Sequence, residues 1–97
     1  MYRDDPLDDE AELIAIVGED AVASLRAATP DTFDRAPLEV ALDVLRVLQG
    51  WVDDHAAGRW LTTPQRRLES RTPIDALTVG AFEEVEDAAR AWAAANA

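Results

Sequence analysis

Apolar positions recur at helical spacing along the whole chain. Leu7, Ala11, Ile14 and Val17 fall at i, i+4, i+7 and i+10, which is one stripe of a helix. Asp5 is placed to cap that helix, and Pro6 to occupy its first turn, where a missing N–H costs nothing. Gly18 stops it. Asp20 then reads as the cap of a second, short helix reaching about Ala28, with Ala21, Val22 and Leu25 facing inward. Thr29-Pro30-Asp31 ends it, since the residue before a proline avoids the helical region.

The strongest pattern runs from Pro37 to about Val52. Leu38, Ala41, Leu42, Leu45, Leu48 and Val52 make one stripe, and Val40, Val44, Val47 and Trp51 make a second. Only Glu39, Asp43, Arg46 and Gln49 are left as a polar edge. A helix apolar over most of its circumference is buried on more than one side. It is read as the central core helix, with the second stripe available for self-association.

A further short helix is expected from Asp53 to Thr62, weakened at Gly58 and broken by Thr63-Pro64, with a single turn at Gln65 to Leu68. Thr72 is placed to cap a helix beginning at Pro73, from which Ile74 and Leu77 turn inward. In the closing helix, near 80–95, Phe82, Val85, Ala89 and Trp92 form a stripe opposite Glu83, Glu84, Glu86, Asp87 and Arg90. No run of five or more alternating residues suggests a strand. The reading is an all-α fold of five to six helices in one compact unit. Residues 1–36 supply N-terminal helices and 37–97 the main body.

Composition tightens this picture. Of 47 apolar residues 19 are alanine, so 28 larger side chains must build the core of a 97-residue chain. A chain this short buries roughly two-thirds of its extended surface and is marginal alone. Cysteine is absent, which removes disulfides and thiolate chemistry as sources of help. Self-association or a partner is the expected source, and a homo-oligomer is anticipated.

Charge excludes several functions. Nine Arg and no Lys stand against 20 Asp and Glu, a net charge of −11. Phosphate neutralisation needs a basic patch, so nucleic-acid binding is not expected, and acidic membrane surfaces repel such a chain. No apolar run approaches the roughly 20 residues that span a bilayer. The start, Met1-Tyr2-Arg3-Asp4-Asp5, lacks the basic and apolar regions of a secretory signal, and a cytoplasmic protein is expected.

Candidate chemistry is sparse. The one histidine, His55, stands beside Asp53 and Asp54, a local pattern more typical of a solvated helix face than of a catalytic set. Glycine-rich phosphate loops and HExxH are missing. The run Asp4 to Glu10 has oxygen ligands but not the glycine or terminal glutamate of a calcium loop, and it is read as an acidic helix start. No catalytic residue, metal or cofactor is assigned, and the protein is not read as an enzyme.

One segment carries a recognisable order of residues. It runs Arg59-Trp60-Leu61, Thr63-Pro64, Leu68, Arg71-Thr72-Pro73-Ile74-Asp75-Ala76-Leu77, Gly80-Ala81 and Val85. This resembles the toxin-binding domain of the Xre/MbcA/ParS antitoxins, which has a Trp-Leu pair, a proline, a leucine, Arg-x-Pro, a leucine, and then a glycine and a valine. Trp60, Leu61, Pro64, Leu68, Pro73, Leu77, Gly80 and Val85 are the matching scaffold. Gly80 is expected to let the last helix approach a neighbouring backbone. Glu69-Ser70 stands where the family often has a glycine-rich segment. Many members carry a helix-turn-helix ahead of this domain. Here Leu13 to Ala28 looks like a remnant of one, with a single arginine on its would-be reading helix.

The resemblance implies a type II antitoxin that binds a cognate RES-domain toxin and covers its NAD pocket. Such a pocket holds a pyrophosphate, so a carboxylate-rich helix can be steered toward it. The toxin-binding residues expected on this basis are Glu83, Glu84, Glu86, Asp87 and Arg90, and the tail through Asn96. Arg66, Arg67 and Arg71 form a basic cluster that could pair with the toxin or with the protein's own carboxylates, and self-pairing is expected for Arg71. The rival readings are a dimeric DNA-binding autoregulator and an orphan interaction domain.

Overall fold

The computed structural model describes residues 6–28 and 35–96. Asp5, Thr29-Pro30-Asp31 and Ala97 lie outside the described residues. The described elements are α1 (Pro6–Val17), α2 (Glu19–Ala27), α3 (Pro37–Gln49), α4 (Asp54–Leu61), a single 3-10 turn (Arg66–Leu68), α5 (Pro73–Thr78) and α6 (Phe82–Asn96). The only pairing of extended backbone among them is one antiparallel bridge between Gln65 and Arg71.

The helix α3 is the axis of the fold. It packs against α1, α2, α4, α5 and α6. Its Val40, Ala41, Val44, Leu45 and Leu48 are sealed from solvent, and Leu38, Leu42 and Val52 pack at the margin of the same core. The first stripe and the N-terminal half of the second are therefore used inside one chain. The expectation that the second stripe is available for self-association is corrected for Val40 and Val44, which are fully buried, while Val47 is half-buried and Trp51 is 53% exposed. The helix also stops at Gln49 and not near Val52. The N–H groups of Gly50 and Trp51 turn back to the carbonyls of Val47 (3.2 Å) and Leu48 (2.9 Å), a tightened last turn that ends the helix.

Two N-terminal expectations also change. Among the described side chains of α1, which do not include Leu7, the fully buried residue is Leu13, flanked by partly buried Ile14, Ile16 and Val17, while Ala11 is exposed. A leucine removes far more apolar area from water than an alanine, so the helix rotates to bury it. In α2 the N-cap is Gly18, which makes no side-chain cap, and Asp20 sits within the first turn. There its charge complements the helix dipole without capping.

Helices α1 and α4 come close backbone to backbone at Ile16 and Gly58. A Cβ on Gly58 would lie 2.6 Å from the Ile16 carbonyl oxygen, so the crossing requires glycine at that point. This close approach at a glycine is one the sequence did not single out. Gly80 acts at the end of α5. With φ +86° it closes α5 by sending its N–H to the Leu77 carbonyl (3.1 Å), while the Ala81 N–H reaches the Ala76 carbonyl (3.0 Å). This is a Schellman stop, which favours a residue without a Cβ.

Among the described residues two helices are capped by side chains, α5 by Thr72 as expected and α4 by Asp53. Asp53 Oδ1 accepts from the Ala56 N–H at 2.8 Å, and Thr72 Oγ1 accepts from the Asp75 N–H at 3.0 Å with Pro73 in the first turn. In α6, Val85, Ala88, Ala89 and Ala93 are buried, and its Trp92 ring stacks on Trp60 with centroids 5.8 Å apart.

Candidate functional site

The site begins with how the loop after α4 is held. Leu68 is buried and pins the 3-10 turn to the core, which turns its neighbours Arg66 and Arg67 outward. Gln65 ties the loop to the end of α4 by donating from Nε2 to the carbonyls of Trp60 (3.2 Å) and Thr63 (2.9 Å). Its backbone N–H also donates to the Arg71 carbonyl at 3.0 Å. The loop then reverses through Glu69 and Ser70, with φ of 59° and 66°. Both lie in the left-handed region that favours glycine, so the segment keeps a glycine-like path without glycine.

This construction leaves a shallow trough. Trp60, Gln65 and Trp92 line two adjoining hollows of about 220 and 300 Å³. Arg59 borders the first, and Arg66 and Arg67 border the second, which α6 closes with Ala88, Ala91 and Ala95. Arg67 also borders a third hollow of about 120 Å³ beside Arg71 and Glu84. The three hollows share lining residues and run along one edge of the molecule.

Arg66, Arg67 and Arg71 are all exposed, and none has an ion pair among the described residues. The expected self-pairing of Arg71 is therefore corrected. The tight reversal around it engages its backbone and leaves the guanidinium outward. Arg59, exposed on α4 at the same edge, is equally without an ionic partner among the described residues, and the sequence reading did not single it out. Its position directly before the Trp60-Leu61 pair was the available signal.

The other described arginines are engaged. Arg26 pairs with Glu10, Arg46 with Glu12 (3.0 Å), and Arg90 with Asp87 (3.6 Å). Arg35 reaches both Asp43 (2.9 Å) and Glu86 (3.1 Å). The hydrogen bond to Glu86 is the main cause that raises the Arg35 pKa above its ordinary value; burial opposes it, and the bond to Asp43 adds to the rise. Glu86, half-buried, is thus a structural tie between α6 and the start of α3.

The expected acidic face narrows accordingly. Glu83 and Glu84 project from the first turn of α6, exposed and without an ionic partner among the described residues. Asp87 is exposed beside Arg90, and Asn96 donates from Nδ2 to the Trp92 carbonyl at 2.8 Å. Of the scaffold residues, Trp60, Leu61, Leu68, Pro73, Leu77 and Val85 are buried and Pro64 is exposed. His55 is exposed and shares a hollow with Asp54, Gly58 and Arg59. Among the described residues no group of three or more His, Asp or Glu is placed to hold a metal ion.

What fold and surface define together is a small helical binding domain. It presents an aromatic trough, an arginine edge and an acidic helix start on adjoining elements. The model of the antitoxin Xre/MbcA/ParS C-terminal toxin-binding domain matches residues 46–92, from the end of α3 through most of α6. This segment belongs to that family, and the partner of the domain is a toxin. The searches of curated proteins and of solved structures return no match.

Proposed function

We propose that the chain is the antitoxin of a type II toxin–antitoxin pair, and that it silences a RES-domain toxin by covering its NAD-binding pocket. The observation that carries this reading is the toxin-binding domain at residues 46–92, which contains both the arginine edge and the first turn of α6. Glu83 and Glu84 are the carboxylates best placed to compete for the positive groups of a pyrophosphate site. The protein acts by binding and turns over nothing, within the cytosol where such a toxin would draw on NAD.

The test is inhibition of the cognate toxin's NAD consumption by purified antitoxin. Glu83→Arg with Glu84→Arg should weaken inhibition about tenfold or more while the helical circular dichroism signal is kept. Full inhibition by this double variant would remove the acidic face from the proposal. Glu86 is left out of the variant because its tie to Arg35 supports the fold.

The rival reading as a DNA-binding regulator draws no support from α2. Its first turn carries Glu19 and Asp20, which would face phosphate, and its single arginine, Arg26, is already held by Glu10.

A further inference from the structure

Four arginines without ionic partners among the described residues are unexpected in a chain that carries 20 carboxylates and a net charge of −11. Acidic side chains are abundant enough to meet an arginine on most faces, and Arg26, Arg35, Arg46 and Arg90 do meet one. Arg59, Arg66, Arg67 and Arg71 stand together along the one edge that also holds the Trp60–Trp92 trough.

We propose that this trough is the docking site for an extended acidic segment of the toxin, with an apolar or aromatic side chain of that segment seated over the tryptophan pair. The inference rests on the family reading above and adds a second contact of opposite sign to the acidic face of α6. Guanidinium groups bind carboxylates through paired, charge-assisted hydrogen bonds, and a planar fork loses less freedom in doing so than an ammonium. Trp60 is buried and stacked, so the trough floor is formed before any partner arrives and little ordering cost attaches to it. The partner must carry its charge on a short segment. A partner acidic overall would be repelled by the net charge of −11, whereas arginines act locally, within a Debye length of about 8–10 Å. Phosphate would also suit arginine and tryptophan, but a polyphosphate chain meets the same repulsion at every turn. The match to a toxin-binding domain, moreover, covers the whole edge.

The experiment measures toxin affinity for the full chain carrying Arg59→Glu, Arg66→Glu and Arg67→Glu, with the corresponding triple lysine variant beside it. The residues are exposed, so both variants should melt as the wild type does. The glutamate variant should bind about a hundredfold more weakly, the lysine variant within about tenfold of wild type, and wild-type binding should weaken as salt rises. Lysine substitutions in the acidic segment of the toxin should restore binding to the glutamate variant. Unchanged affinity of the glutamate variant overturns the docking site and leaves the antitoxin reading standing. A wild-type chain that does not bind the toxin overturns both. Arginine-dependent binding of a short RNA or DNA duplex, with toxin affinity unaffected by the same variants, assigns the edge to nucleic acid instead.

Discussion

At Gly58 one hydrogen in place of a methyl group sets the distance between two helices. A Cβ there would stand 2.6 Å from the Ile16 carbonyl, and backbone cannot yield as a flexible side chain can. Gly58→Ala should cost about 1–3 kcal/mol in urea unfolding. Gly50→Ala is the matched control, since its Cβ would meet nothing nearer than 3.4 Å and its φ is −74°, so its stability should stay within about 1 kcal/mol of wild type. Ser70 offers the opposite case. Its left-handed backbone costs about 1–2 kcal/mol, and a glycine there would recover this less about 0.5–1 kcal/mol of added chain entropy. Ser70→Gly should therefore raise stability by up to about 1 kcal/mol, read as a higher Tm. Little of this is legible in sequence. Gly58 looks like a weak point in a helix until Ile16, 42 positions earlier, is placed beside it. The departure from a glycine-rich segment at Glu69-Ser70 is visible, but not the positive φ it imposes.

Among elements, local chemistry was the readable part. Thr72-Pro73 announces a helix start because a cap bonds within three residues of itself, and that cap forms as expected; the cap that Asp53 gives α4 is of the same local kind, although only the helix was expected there. Thr72→Ala should lose about 1 kcal/mol, concentrated in earlier fraying of α5 by amide exchange. Asp20 failed as a cap because Gly18 already ends α1 and begins α2 at the next residue. Ties between distant elements were not readable at all. Glu12 on α1 accepts from Gln49 Nε2 (2.7 Å) and Arg46 (3.0 Å) on α3, and these bonds, Gln49 first, lower its pKa from the ordinary 4.5. A depressed carboxyl pKa adds stability above the unfolded value, and that contribution fades as pH falls through the folded value. Acid unfolding of Glu12→Gln should accordingly lose some of its pH dependence below 4.5. The side chain is 37% exposed, so the effect stays under about 1 kcal/mol.

For the molecule as a whole, the charges divide by task. Three of the four engaged arginines tie distant parts of the chain, Arg35 to Glu86 across 51 positions and Arg46 to Glu12 across 34. A sequence shows nine arginines and no means of separating fasteners from contacts, because the separation depends on these long-range partners. Helix number, the central place of α3 and the inward stripe of α6 were legible, since periodicity reports burial directly. The proposed contacts were only half legible. The carboxylates of α6 read as one face until Glu86 is found turned to Arg35.

The stacked indoles of Trp60 and Trp92 give the protein an optical property of its own. Two of its three tryptophans sit at the trough, ring centroids 5.8 Å apart, and the third, Trp51, stands 53% exposed beyond α3. The coupled pair reports on the trough, while Trp51 reports on bulk solvent. A Trp51→Phe chain would therefore emit only from the stacked pair, and a segment entering the trough would register as a change in its colour and quenching without any attached dye.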